Sequence, residues 1–197
     1  MTPKPHLSYS QIIIFERSPE AYARVYLLGE EKYTNAKMGF GKRFAEAFVE
    51  NTEDRAIEVS KYHFIHYQKQ EFEVTAIIPH KPTQITFKAV FDGYTRKTAH
   101  IGERKTGSIV WSQEKVDNNF QLSVYALVHW LKFKKLPKRI TLEWLETTEE
   151  DGEIEIVNFK PLVFETSRTL AQCASAAQRI FKAYEGIEQL TKNYVGY

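Results

Sequence analysis

From Ile57 to Lys105 apolar residues recur at every second position, whereas the stretches on either side recur at the helical interval. A chain patterned this way has to bury a sheet, and the flanking helices are the material available to cover it. The period-two block divides into four expected strands, Ile57–Tyr67, Phe72–Pro79, Ile85–Tyr94 and Ala99–Lys105. Polar turns such as His80-Lys81-Pro82-Thr83 and Thr95-Arg96-Lys97-Thr98 separate them. Ahead of the block, Ser8-Tyr9-Ser10-Gln11 reads as a capping box and Ser18-Pro19-Glu20 as a second helix start. Met38–Glu50 reads as a helix with Phe40, Phe44, Ala47 and Phe48 on one face. Beyond the block come a long helix over Gln113–Lys134, capped by Ser112 and stopped by Pro137, then a hairpin of Ile140–Glu146 with Glu153–Phe159, and a helix over Ser167–Leu190. This order predicts an α/β fold: a central mixed β-sheet flanked by helices.

At 197 residues the chain reads as a single domain spanning 1–197. Its one cysteine, Cys173, excludes an intrachain disulfide and any cysteine-built zinc or iron–sulphur site, and suits a reducing compartment. No apolar run approaches the ~18 residues of a membrane span, and Ile12–Phe15 is too short for a signal-peptide core, so a cytoplasmic protein without a membrane partner is expected. A net charge of +2 neither demands nor excludes a nucleic-acid partner. There is no Walker loop, dinucleotide fingerprint, G-x-S-x-G elbow or cysteine–histidine pair, and the six histidines show no metal-ligand spacing.

The chemistry-bearing stretch is Phe91-Asp92-Gly93 followed by Gly102-Glu103-Arg104-Lys105-Thr106-Gly107. Glu103 and Lys105 are two apart on an expected strand and leave the same face. Folded back antiparallel through a turn over Arg96–Ala99, Asp92 falls directly across from Glu103, with Cβ atoms about 5 Å apart. Two carboxylates so close repel unless a cation lies between them, and a hard divalent ion with oxygen ligands suits the pair. The plainer alternative is a cross-strand salt-bridge cluster of Asp92, Glu103 and Lys105 on a solvated face. Against it stand the apolar neighbours Val90, Phe91, Ile101, Ile109, Val110 and Trp111, because charged groups in such strands are usually paired or ligating. Glycines at 93, 102 and 107 leave gaps suited to close approach of a ligand or another backbone.

These residues resemble the PD-(D/E)xK nuclease superfamily, and within it the RecB-like exonuclease group. Phe91-Asp92-Gly93 is similar to that group's strand carrying the metal-binding aspartate, and Glu103-Arg104-Lys105-Thr106-Gly107 to its (D/E)xK-T-G strand. Gln121-Leu122-Ser123-Val124-Tyr125-Ala126 is similar to its helical QxxxY motif, at a matching separation. Leu7-Ser8-Tyr9-Ser10, Phe15, Ser18-Pro19, Tyr22 and the Gly41–Phe48 stretch complete the pattern, so the likeness covers roughly residues 7 to 130.

The resemblance implies a restriction-endonuclease-like core and a metal-dependent deoxyribonuclease that hydrolyses phosphodiester bonds, most simply an exonuclease acting on single- or double-stranded DNA ends. Asp92 and Glu103 would ligate Mg²⁺ or Mn²⁺ with the main-chain carbonyl of Arg104, while Lys105 places the attacking water or the phosphate. Gln121 and Tyr125, four apart on one helix face, would orient the strand, and Lys42, Arg43 and Arg104 would contact DNA. Two departures stand out. Ser18 replaces the cysteine that cluster-bearing relatives carry, so no iron–sulphur cluster is expected. Ala45 occupies the place of a histidine ligand found in many relatives, which leaves either neighbouring Glu46, turned inward, or Asp92, Glu103 and a main-chain carbonyl with waters to hold the ion. Ala45 also keeps open a catalytically inactive module that binds nucleic acid or a partner protein. An endonuclease or nickase of the same fold, a recombination or repair partner protein and a homo-oligomer are further open readings. Lys132, Lys134, Lys135, Lys138 and Arg139 form a basic run at a helix end, read either as dipole-favoured cations or as a phosphate-tracking patch.

Overall fold

The computed structural model describes residues 5–195. In chain order the elements are β1 (Leu7–Ser8), α1 (Tyr9–Arg17), α2 (Pro19–Tyr22) running into a π-helical turn (Ala23–Leu27), α3 (Ala36–Glu46), α4 (Arg55–Lys61), β2 (Lys69–His80), β3 (Thr83–Thr95) and β4 (His100–Gly107). There follow α5 (Gln113–Asp117), α6 (Phe120–Phe133), β5 (Arg139–Glu150), β6 (Glu153–Ile156), β7 (Leu162–Thr166) and α7 (Leu170–Val195). The fold is the expected one, a mixed sheet with helices packed against it.

β2 pairs antiparallel with β3 over its length, β3 with β4 antiparallel, β4 with β5 parallel, and β5 with β7 antiparallel. The short β1 runs parallel beside Phe87 and Lys88 of β3, and β6 pairs with the far end of β5. Because β2 occupies one edge of β3, β1 and β4 must share the other. β4 holds that edge only from Gly93 to Thr95 and then diverges. The main core joins β2–β5 to α1, α6 and α7 through residues such as Ile12, Phe87, Phe91, Ile101, Leu122, Leu142 and Ile180. A second cluster, Phe40, Phe44, Ala47, Ile57, Phe64 and Leu145, gathers α3 and α4 with β5.

Several local expectations are corrected. Ile57–Tyr67 is not a strand but α4 followed by irregular chain. Asp54 accepts hydrogen bonds from the amides of Ala56 and Ile57 at 3.0 and 3.1 Å, and this cap nucleates a helix whose inward residues, Ile57 and Ser60, are three apart. The capping box at Ser8 does not form: the Ser8 side chain accepts from no helix amide, and Gln11 Nε2 donates to the carbonyl of His6 at 3.1 Å and to Ser8 Oγ at 3.4 Å. The long helix is broken in two at Asn118-Asn119, each half with its own side-chain cap, Ser112 on Lys115 N–H and Asn119 on Leu122 N–H. Buried Arg168 staples the break, donating to the carbonyls of Val116 and Asn119 and to Ser123 Oγ. The helix ends at Lys134, in the left-handed region, before Pro137 is reached. β7 has too little apolar alternation to announce itself, because no residue of this strand is fully buried.

Candidate active site

Asp92 sits in the crotch where β4 leaves β3. The antiparallel register found, Gly93↔Gly102, Tyr94↔Ile101 and Thr95↔His100, is the one that faces Asp92 toward Glu103. At the point of divergence the ladder is completed by a side chain: Asp92 Oδ2 accepts from the amide of Arg104 at 2.7 Å. On the other side of β3 the pairing with β2 lapses at Asp92 and Glu71, and Glu71 has a φ of +45°. Strict alternation would put Phe91 and Tyr94 on opposite faces, yet both meet α6, through Tyr125 and His129. The lapse in pairing at Asp92 and Glu71 falls between Phe91 and Tyr94.

A cavity of about 470 Å³ opens over this crotch, bordered by Met38, Gly41, Phe44 and Ala45 of α3, Glu71, Asp92, the 103–106 segment and Gln121. Glu103 is 2% exposed; one carboxylate oxygen pairs with Lys105 Nζ, and the other, Oε2, is buried with no hydrogen-bond partner. Burial first, and the Glu103 charge second, push the Asp92 carboxyl well above the ordinary carboxylate range. Lys105 is held above the usual lysine value by the Glu103 and Asp92 charges, against the opposing pull of burial. Gln121 donates to Tyr125 Oη at 2.8 Å, and burial, ahead of the two carboxylates, keeps that phenol protonated far above its ordinary range.

The opposite face of the same strands is filled. The Tyr67 ring lies on Gly93 and Gly102, so the gaps left by these glycines receive a side chain rather than a ligand or a backbone. Tyr67 Oη is 2.6 Å from Thr141 Oγ1. Beside it the Arg104 guanidinium donates to Gln70 Oε1, to the carbonyl of Asp92 and to that of Ile65, and stacks 3.6 Å from the Phe48 ring. Fully buried Glu143, 3.8 Å from Arg104 Nε, accepts from the Ile65 amide at 2.6 Å; burial raises its pKa to about 7.

The structure therefore brings Asp92, Glu103, Lys105 and Gln121 to one cavity. Tyr125, 4% exposed, stands behind Gln121 rather than on the cavity wall. Arg104 does not present its guanidinium for DNA: the side chain is 4% exposed and spent on internal partners. Glu46 is turned to solvent and paired with Lys42 at 3.6 Å, and Ala45 faces the cavity in its place. Lys42 and Arg43 are exposed on the outer side of α3. Sequence reasoning missed Glu71, although the β2–β3 pairing that follows from the His80–Thr83 turn already sets it opposite Asp92.

Among the described residues no group of three or more His, Cys, Asp and Glu side chains stands together to hold a metal ion. Two carboxylates do converge at the cavity, however, and Asp92 and Glu103 supply the oxygen donors that a hard cation needs. The donor set is compatible with a hard divalent cation. No helix among the described residues is long and apolar enough to cross a membrane.

No family model and no curated protein matches the chain. Solved structures do. A candidate exonuclease from Eubacterium rectale aligns over 98% of this chain and 83% of its own length, with a TM-score of 0.62 and 11% identity. The exonuclease LHK-Exo from Laribacter hongkongensis, solved in complex with dAMP, aligns over 96% and 91%, with a TM-score of 0.50 and 13% identity. At these identities the likeness establishes the fold, which is the restriction-endonuclease-like one.

Proposed function

We propose that this chain is a metal-dependent DNA nuclease of the RecB-like kind, acting as an exonuclease on DNA ends. The observation that carries the reading is Glu103: a carboxylate 2% exposed, paired with Lys105 through one oxygen and set with Asp92 at the wall of one cavity. Such a group is costly to a fold and is characteristic of a site that binds something.

Asp92 and Glu103 would hold the ion, with the carbonyl of Arg104 beside them. When bound, Mg²⁺ or Mn²⁺ supplies Lewis-acid charge for a phosphodiester and lowers the pKa of water. Within this arrangement the Arg104 amide fixes the Asp92 carboxyl group, and Lys105, paired with Glu103, sets positive charge against the phosphate. Gln121 uses one amide hydrogen on Tyr125 and offers the other to a phosphate oxygen. Tyr125 is a positioning residue, holding Gln121 from behind. The amino end of α6, a helix of 14 residues, begins next to Gln121, which favours an anion there.

The test is cleavage of end-labelled linear DNA, single- and double-stranded, beside a closed circle, with Mg²⁺, Mn²⁺ or EDTA. Metal-dependent loss of linear DNA with the circle spared is expected, and Glu103→Ala should abolish it with an unchanged circular-dichroism spectrum. A fully active Glu103→Ala protein would sink the mechanism. Ala45 at the cavity wall favours a second reading, a module that binds nucleic acid without cutting; retained DNA binding with no cleavage under any metal would establish it. Nicking of the circle would mark an endonuclease instead.

A further inference from the structure

The basic run after α6 gains a partner in the folded chain. The turn between β3 and β4 brings exposed Arg96 and Lys97 to the same end of the sheet as exposed Lys132, Lys134, Lys135 and Lys138. The two segments are tied together: the Lys138 amide donates to the Ala99 carbonyl at 3.0 Å, and β4 and β5 begin side by side at His100↔Arg139. His129 bridges them from within, its Nδ1 2.8 Å from the Lys135 carbonyl and its Nε2 3.1 Å from Tyr94 Oη. Arg139 is paired with Glu165 at 3.0 Å. Among the described residues none of the other six cations has an ion pair.

Dipole-favoured cations at a helix end explain the lysines nearest α6, but they leave Arg96, Lys97 and Lys138 without a reason. Lys134 also holds the left-handed position, φ +58°, where glycine is the least strained residue. None of this patch borders the cavity. Gln121 and Lys134 stand at opposite ends of α6, about 20 Å apart at 1.5 Å per residue.

We infer that this pole of the molecule is a second nucleic-acid contact, a sequence-independent surface for the phosphate backbone, separate from the cleavage cavity; it rests on the nuclease reading for the identity of the polyanion. Protein interfaces are depleted in lysine at their centres and anchored by buried aromatic side chains. Here, by contrast, Trp130 at 37% is the one large exposed hydrophobic within the two segments among the described residues. Unpaired, hydrated ammonium groups without apolar anchors suit a phosphate chain.

The full chain is tested by fluorescence anisotropy with a 60-base-pair duplex in EDTA across a salt series, beside Mg²⁺-dependent hydrolysis of thymidine 5′-p-nitrophenyl phosphate, a small ester that reaches the cavity alone. Replacing Lys134, Lys135 and Lys138 together by Gln should weaken duplex binding at least tenfold near 0.1 M salt. It should also flatten the slope of log K against log salt by about 2–3, at roughly 0.9 per phosphate contact. Ester hydrolysis should not change, and the matching triple Arg variant should restore the slope. An unchanged slope and affinity would overturn the inference and leave an acidic protein surface as the patch's counterpart. A wild-type protein with a patch-dependent slope but no ester hydrolysis would support the patch and sink the nuclease reading.

Discussion

Gly102→Ala puts a single methyl group where the structure has no room for it. A Cβ there would lie 2.3 Å from Tyr67 Cζ and 2.4 Å from its hydroxyl oxygen, more than 1 Å inside ordinary contact. Tyr67 is 7% exposed and is held at its tip by Thr141 at 2.6 Å, so it cannot swing aside and keep that bond. Overpacking of this kind costs about 1–3 kcal/mol and the lost hydrogen bond about 1 more. The variant should therefore lose about 2–4 kcal/mol, read as a lower urea midpoint at unchanged m, or a Tm lower by roughly 5–15 °C for a chain of this size. Since Glu103 is the next residue, cleavage should fall as well. A double-mutant cycle isolates the cause. Tyr67→Ala by itself should cost about 3–5 kcal/mol, but once the ring is gone Gly102→Ala should cost less than about 0.5. If the two losses simply add, or if Gly102→Ala is nearly neutral, the wedge of Tyr67 on the glycine pair is not what holds β4 against β3.

Three further outcomes follow from the site's electrostatics and backbone. The Asp92 carboxyl, raised by burial and then by Glu103, keeps its proton in the fold above the unfolded value of 3.8, so the folded protein is stabilised at low pH and loses that contribution as pH rises. Asp92→Asn should accordingly raise the urea midpoint in EDTA, and by more at pH 8 than at pH 5; an equal or opposite change would refute the assignment. Burial, with Arg139 second, depresses His100 to about 4, so stability should fall by up to about 3 kcal/mol as pH drops from 6.5 through 4, and His100→Gln should flatten that fall. Glu71→Gly relieves a left-handed non-glycine conformation that costs about 1–2 kcal/mol, partly offset by the freer unfolded chain. A small gain or no change in stability is expected, and a loss of more than about 1 kcal/mol would show that the Glu71 side chain, not its backbone, shapes the crotch.

The local code carried much of this chain. Alternation from Phe72 to Lys105 and the tight turn at Arg96–Ala99 determine the antiparallel register that turns Asp92 toward Glu103, because a period of two and a short turn admit few other pairings. Ser18, Ser112 and Pro19 mark real helix starts for the same reason: caps are satisfied within three residues of themselves. What the sequence could not decide depends on contacts far along the chain. Nothing near Gly93 and Gly102 says that the ring filling their gap belongs to Tyr67, and nothing near Arg104 says that Gln70, Ile65 and Phe48 will close over its guanidinium. Arg168 satisfies the carbonyls at the break in the long helix from 52 residues along the chain, and Asp54 outweighs the alternation after Ile57. On α3 the sequence offers Ala45 and Glu46 as neighbours; only the packing of Phe40 and Phe44 fixes the rotation of the helix, which points the alanine at the cavity and the glutamate at solvent.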